Sequence, residues 1–190
     1  MELIIASNNK HKIKEIKQIL GAKFDRIVSL KEAGISHETV EDGNTFLENA
    51  AKKAREIAEI SGMAALADDS GICAHALDGA PGIMSARYAG MHGDDEANND
   101  LLLANLSDKE DKSAHYTCAM VIAYPCGKVI SAEGYMYGSI VDERRGSGGF
   151  GYDPIFVPDG DSRTVAEMTE EEKNAISHRA KALEKILELL

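Results

Sequence analysis

Basic stripes, cysteine pairs and long apolar runs are all missing from this sequence, and each absence narrows what the chain can be. Lysine and arginine number 21 against 32 aspartates and glutamates, a formal net charge of -11. A surface so negative repels a polynucleotide backbone, so no nucleic-acid partner is expected. A small anionic ligand stays compatible, because a few converging cations and backbone amides make a positive pocket inside an acidic protein. Cys73, Cys118 and Cys126 show neither CxxC spacing nor a neighbouring histidine cluster, which points away from a disulfide framework and from a zinc site. The opening apolar run, Leu3 to Ala6, is far shorter than a secretory core, and no later stretch approaches membrane-spanning length. A soluble, cytoplasmic protein with no membrane partner is the expectation. No repeat, low-complexity segment or Pro/Ser-rich linker divides the 190 residues, so a single domain over 1–190 is expected.

The pattern of what remains is α/β. A buried strand at Leu3 to Ala6 leads through a polar loop, Ser7 to Asn9, into a helix whose apolar face is Ile13, Ile16, Ile19 and Leu20. A second helix is predicted from about Thr45 to Ile60, with Thr45 and Glu48 as a capping box and Gly62 as its stop. Its predicted core stripe is Phe46, Leu47, Ala50, Ala51, Ala54, Ile57 and Ala58. A strand at Met63 to Ala67 then ends in Asp68-Asp69-Ser70-Gly71, which puts two carboxylates at the C-terminal end of a strand, where ligands of α/β folds sit. A helix over Asp95 to Leu106 precedes a hairpin, Ala114 to Tyr124 and Val129 to Tyr137, turned by Pro125 to Lys128. A short strand, Ile155 to Val157, and a closing helix from near Ser177 that buries Leu183, Ile186, Leu187 and Leu190 complete the reading. The expected architecture is a mixed, elongated sheet flanked by helices, in two lobes with a central active-site cleft.

Several polar groups fit an anion or a cation. Ser7-Asn8-Asn9-Lys10-His11-Lys12 precedes a helix N-terminus, where free amides and the helix dipole favour phosphate; an ordinary N-cap followed by solvated lysines explains the same residues equally well. No GxxxxGK[ST] is present, so this is not a P-loop. Glu41-Asp42 before the second helix and Asp68-Asp69 after it could be brought together, and oxygen-only ligands of this kind suit Mg²⁺. Taken alone, Glu41 and Asp42 are better read as acidic caps on an acidic surface. Lys53 lies at the edge of the apolar stripe and could reach the Asp68 end, although a lysine so placed more often snorkels. Gly146, Gly148 and Gly151 satisfy GxGxxG literally. The context is wrong for a dinucleotide fingerprint, since the run leads into Tyr152-Asp153-Pro154 rather than a helix. A loop presenting Phe150, Tyr152 and Asp153 could instead hold a purine base, or its aromatics could enter the core.

Taken together, these blocks resemble the inosine triphosphate pyrophosphatase family over nearly the whole chain. The resemblance is carried by Ser7-Asn8-Asn9 with Lys12, by Glu41 to Ala50, and by Asp68-Asp69-Ser70-Gly71. It continues through Gly79-Ala80-Pro81-Gly82, Ser85-Ala86-Arg87-Tyr88, Gly149 to Pro154, Glu172-Lys173-Asn174 and Ser177-His178-Arg179. It implies a homodimeric, Mg²⁺-dependent hydrolase that cuts non-standard purine nucleoside triphosphates (ITP, dITP, XTP) between the α and β phosphates. Ser7, Asn8, Asn9, Lys10, His11, Lys12 and Ser70 would bind the substrate, and Lys53, one of the catalytic set, would help hold the triphosphate. Glu41 and Asp69 would bind metal, and Asp69, with Asp68 beside it, would activate water. Phe150, Gly151, Tyr152, Asp153, Lys173, His178 and Arg179 would contact the nucleotide, mainly its base, and Arg179 with its neighbours Lys173 and His178 is expected to read the 6-oxo group. Met84 and His75 depart from the family's usual aromatic and acidic residues, which bears on local packing or dimer contacts.

Overall fold

The computed structural model of the chain describes residues 2–190, apart from the side chain of Ala22. Six strands, β1 (Glu2–Ile5), β2 (Arg26–Ser29), β3 (Ala64–Ala74), β4 (Ser113–Ala123), β5 (Val129–Ile140) and β6 (Phe156–Pro158), form one sheet in the order β2-β1-β3-β4-β5-β6. β1 runs parallel to β2 and β3, whereas β5 and β6 are antiparallel, so the sheet is mixed. The helices are α1 (Lys10–Leu20), α2 (Phe46–Ser61), α3 (Asp95–Leu106), α4 (Glu170–Ile176) and α5 (His178–Glu188). Among the described residues, no helix is long and apolar enough to cross a membrane. The chain forms two compact units, Met1–Asp69 with Cys118–Gly134 and Arg179–Leu190, and Ser70–Thr117 with Tyr135–His178.

The first unit is a sheet covered on both faces. Successive strand residues point to opposite sides, and the apolar residues divide accordingly. Leu3, Ile5, Leu66 and Met120 pack with Ile16 and Leu20 of α1 and with Ala182, Leu183 and Ile186 of α5. Ile4, Ala65, Ala67 and Val121 pack with Ala50, Ala54, Ile57 and Ala58 of α2. Double coverage is why these strands read as unbroken apolar runs. Thr45 caps α2 by accepting the Glu48 N–H at 3.1 Å, and Gly62 closes it in the left-handed region. The capping box is only half formed, because the Glu48 carboxylate accepts from Asn44 N–H rather than from Thr45. Two predicted core residues are displaced: Leu47 is 38% exposed and Leu190 is 51% exposed. Leu190 lies past the end of α5, beyond its buried stripe.

In the second unit α3 lays Leu102 and Leu106 against Ile72, Ala114, Tyr116, Met136, Ile140 and Phe156. Its bounds are those expected from the sequence, with Asp94 as N-cap accepting from Ala97 N–H at 3.1 Å. β2 and α4 carry too few apolar residues to be seen beforehand. The glycine-rich loop opens no helix; Gly146, Gly149 and Gly151 have positive φ and the chain continues into a 3₁₀ turn at Asp153–Ile155. The largest correction concerns β3. It does not stop at Ala67 but continues through Asp68 and Asp69 to Ala74, buried or half-buried throughout.

Candidate active site

The first unit owes its chemistry to that continuation. Because Asp68 and Asp69 are consecutive in a strand, their carboxylates leave on opposite faces. Asp68 shares the Leu66 face with α1 and α5, and Asp69 shares the Ala67 face with α2.

On the α1/α5 face, Asp68 Oδ2 meets Lys12 Nζ at 3.0 Å, Arg179 Nη2 at 3.2 Å and Arg179 Nε at 3.3 Å. Arg179 is itself 1% exposed and donates a short hydrogen bond from Nη1 to Glu15 of α1. Burial alone would push the Asp68 carboxyl up. Lys12, Arg179 and Lys53 together outweigh it and hold the group well below the usual carboxylate range.

On the α2 face, Asp69 Oδ2 accepts from Asn49 Nδ2 at 3.1 Å, and Oδ1 lies 3.6 Å from Lys53 Nζ. Lys53 also donates to Glu41 Oε1 at 3.0 Å. Here the balance reverses. Burial raises the Asp69 pKa, Glu41 adds to the rise, and Lys53 and Lys12 only partly offset it. Lys53 is desolvated too, yet Asp69, Asp68 and Glu41 keep its pKa above normal. Asp42 takes no part, pairing instead with Lys52 at the surface at 2.7 Å. Glu41 and Asp69 therefore present hard oxygens to one cationic centre, the Lys53 ammonium, a donor set that fits Mg²⁺. Among the described residues no three His, Cys, Asp or Glu side chains form a metal cage. An ion held by these two carboxylates would complete its shell with water and substrate oxygens, as Mg²⁺ commonly does.

The loop before α1 differs from expectation. Asn9 Oδ1 accepts from the amides of His11 and Lys12, at 3.0 and 3.2 Å, and Ser7 Oγ accepts from Asn9 N–H at 3.2 Å. Those amides, expected to face an anion, are taken by the helix's own cap. Asn8 Nδ2 donates to the His37 carbonyl, and Lys10 and His11 are exposed. Lys12 is the cation this segment delivers to the carboxylates.

In the second unit, Asp153 is 3% exposed and accepts from Lys173 Nζ at 2.8 Å, Phe150 N–H at 3.0 Å and Tyr116 O–H at 3.3 Å. The Lys173 ammonium also lies 4.5 Å from the Phe150 ring centroid, within cation–π reach. His178 stacks on Tyr116 with centroids 4.7 Å apart. Gly149 is required here, since a Cβ at that position would stand 2.1 Å from Asp153 Oδ2. Two sequence expectations need correction. The Tyr152 ring lies in the core and its O–H donates to the Ser85 carbonyl at 2.8 Å, so it offers no open face to a base. The Arg179 guanidinium, expected to read a base, bonds within the first unit to Asp68 and Glu15. Ser70 is half-buried in β3.

Sequence reasoning missed two residues of this loop's support. Asp95 Oδ2 accepts from Gly151 N–H at 2.7 Å, and Asn99 Nδ2 donates to the Gly151 carbonyl at 2.9 Å. They are one turn apart on α3, but Glu96, Asn98, Asp100 and Asn105 make the helix polar elsewhere too, so the sequence held no signal that singled them out. Asn49 is the third omission, a buried amide on the inner face of α2.

Residues 3–189 match the Ham1 family. A dITP/XTP pyrophosphatase of Streptomyces coelicolor is 48% identical over 194 residues, spanning 95% of this chain and 92% of that protein. One from Clostridium perfringens is 49% identical over 193 residues, spanning 97% and 95%. The solved structure of the Staphylococcus aureus Ham1 protein has a TM-score of 0.88 at 38% identity, covering 98% of this chain and 96% of its own. By a family match over nearly its whole length and by these relatives, in agreement with the resemblance its motifs carry, the chain belongs to the Ham1 family.

Proposed function

We propose that this protein is a Mg²⁺-dependent nucleoside triphosphate pyrophosphatase that hydrolyses non-standard purine nucleotides, dITP, XTP and ITP, to the monophosphate and pyrophosphate. The names of its relatives support the activity. The observation that carries the assignment of roles is the split of Asp68 and Asp69 onto opposite faces of β3, with opposite electrostatic settings.

Asp69, whose Oδ1 faces Lys53 on the side where Glu41 also lies, takes the proton of the attacking water. Asp68, held ionised by cations, is a poor base and instead fixes Lys12 and Arg179. When bound by Glu41 and Asp69, a magnesium ion supplies charge neutralisation at phosphate oxygens and lowers the pKa of a bound water. Lys12 and Lys53 bring positive charge to the triphosphate. Lys173 reads the base: an ammonium only donates, so it suits a 6-oxo acceptor and meets the 6-amino group of adenine unproductively. Phe150 offers it an aromatic neighbour, while Asp153 fixes its position. A cytoplasmic homodimer acting on the nucleotide pool completes the reading and rests on the motif resemblance.

The test is a panel of dITP, XTP, ITP, GTP and ATP with products resolved by chromatography. Monophosphate and pyrophosphate are expected, with ATP the poorer substrate. Diphosphate and orthophosphate as products, or ATP cleaved as fast as ITP, would overturn it.

A further inference from the structure

We infer that Asn49 is a positioning residue for Asp69: its side-chain amide ties the loop that carries Glu41 to the carboxylate that accepts the proton. Asn49 is 1% exposed, on the inner face of α2. Its Oδ1 accepts from Gly43 N–H at 2.9 Å and its Nδ2 donates to Asp69 Oδ2 at 3.1 Å. The first bond decides the second. An amide has one acceptor end and one donor end, and with Oδ1 committed to a backbone N–H, the NH₂ must face Asp69. Asp69 is thereby held by Oδ2, which leaves Oδ1 turned to Lys53 and the Glu41 carboxylate.

Gly43 is part of the device. A Cβ there would stand 2.7 Å from Asn49 Oδ1 and 2.8 Å from Glu48 Cβ, so only glycine lets the backbone approach the amide this closely. One side chain thus spaces both proposed metal ligands, Glu41 through the 41–43 backbone and Asp69 directly. Asn49 touches neither water nor phosphate in this assignment and acts only through Asp69. The inference rests on the reading of Asp69 given under Proposed function.

The experiment is a double-mutant cycle on dITP hydrolysis with Asn49→Ala, Asp69→Asn and the double variant, each with its thermal melt. Asn49→Ala should lower kcat about 10- to 100-fold, the range for losing a hydrogen bond to a charged group, with KM changed less than about threefold. In the Asp69→Asn background the same change should cost less than about threefold, because the group it positions is gone. Gly43→Ala approaches from the other side and should reproduce the kcat loss while leaving Asn49 in place. Should Asn49→Ala fold poorly, Asn49→Gln keeps both ends of the amide but sets them one methylene too far out, and should lose kcat with a smaller fall in melting temperature.

Equal losses in both backgrounds, or a loss confined to KM, would overturn the inference and leave Asn49 a packing residue. Full activity of Asp69→Asn would instead sink the underlying reading, whereas a collapsed Asp69→Asn beside an unaffected Asn49→Ala would sink this inference alone.

Discussion

Each unit buries an aspartate against a lysine, yet the two sites are stabilised in different currencies. In the first, Asp68 and Asp69 are surrounded by Lys12, Lys53 and Arg179, with Glu15 and Glu41 behind them, a network of full charges in which every member has an ionic partner. In the second, Asp153 meets the Lys173 ammonium, a tyrosine hydroxyl and a backbone amide. A dense ionic network tolerates no deletion, since removing one member strands another charge away from water. A site in which neutral donors share the carboxylate with a cation keeps those donors when the cation is removed. The difference teaches where each unit is specialised: the first for holding charge in place, the second for presenting one donor.

The widest break in this comparison should come from Arg179→Met. Methionine approximates the buried stem but takes from Asp68 and from Glu15 the guanidinium that joins them. Removing one partner of a buried pair typically costs about 3–5 kcal/mol, and urea denaturation should read a loss in that range. The linkage sign sharpens the point. Asp68 has a folded-state pKa below its unfolded value, so its stabilising contribution is complete at neutral pH. It is lost as pH falls below the unfolded pKa of about 3.9 toward the folded value. Denaturation midpoints should therefore drop steeply below about pH 4 in the wild type and less steeply in Asp68→Asn. A wild-type stability flat down to pH 3 would show that the cations do not depress Asp68. If Arg179→Met were as stable as wild type but had lost preference for 6-oxo purines, the base-reading role withdrawn above would return.

How far the sequence disclosed this division depends on the range of the interactions. The strands of the first unit were legible because both faces are covered, so each reads as an apolar run, and α2 was legible from Thr45 and Gly62. The passage of β3 through two aspartates was not, because the residues that make it tolerable come from elsewhere: Lys12 from α1, Lys53 from α2, and Arg179 from 111 positions away. Local charge argued for ending the strand, and tertiary neutralisation overrode it. Glu41 and Lys53, which the sequence allowed but did not require to meet the end of that strand, lie with Asp69, while Asp42 pairs with Lys52 at the surface. Lys173, His178 and Arg179 are near neighbours in sequence, which suggested one role. Yet the guanidinium goes to the first unit and the ammonium to the second. Proximity along a chain carries no such information once a boundary falls between His178 and Arg179.

A second, smaller break is Lys173→Met. Asp153 keeps the Phe150 amide and the Tyr116 hydroxyl, so the stability loss should be about 1–3 kcal/mol, below that of Arg179→Met. Its main consequence should be on choice of base. The ratio of kcat/KM for dITP over dATP should fall about 10- to 100-fold, mainly through loss of dITP turnover. Steady-state kinetics on both nucleotides checks it. An unchanged ratio beside a large stability loss would mean that Lys173 is a buried counterion like Arg179, and the two units would then be alike.

The smallest expected effect tests whether the second unit positions its loop as deliberately as the first positions its carboxylates. Gly151 is gripped through its own peptide groups, its N–H by the Asp95 carboxylate and its C=O by the Asn99 amide. These grips fix the segment on which Phe150 and Asp153 stand, without touching a lysine or a metal ligand. A bond to a charged acceptor is worth more than one between neutral groups, about 1.5–3 against 0.5–1.5 kcal/mol. Asp95→Asn should therefore disturb the loop more than Asn99→Ala. Both should act on the dITP/dATP ratio, lowering it by about three- to tenfold for Asp95→Asn and by about two- to threefold for Asn99→Ala. The kcat for dITP should stay within about twofold, since Asp69, Asn49, Lys53 and Glu41 belong to the first unit. Asp94→Ala supplies the control. It removes the N-cap of α3 and should cost about 1 kcal/mol of stability with no change in the ratio. If all three variants lower stability alike and leave the ratio alone, Asp95 and Asn99 serve only to hold α3. The base loop would then owe its shape to Asp153 and the glycines at 149 and 151.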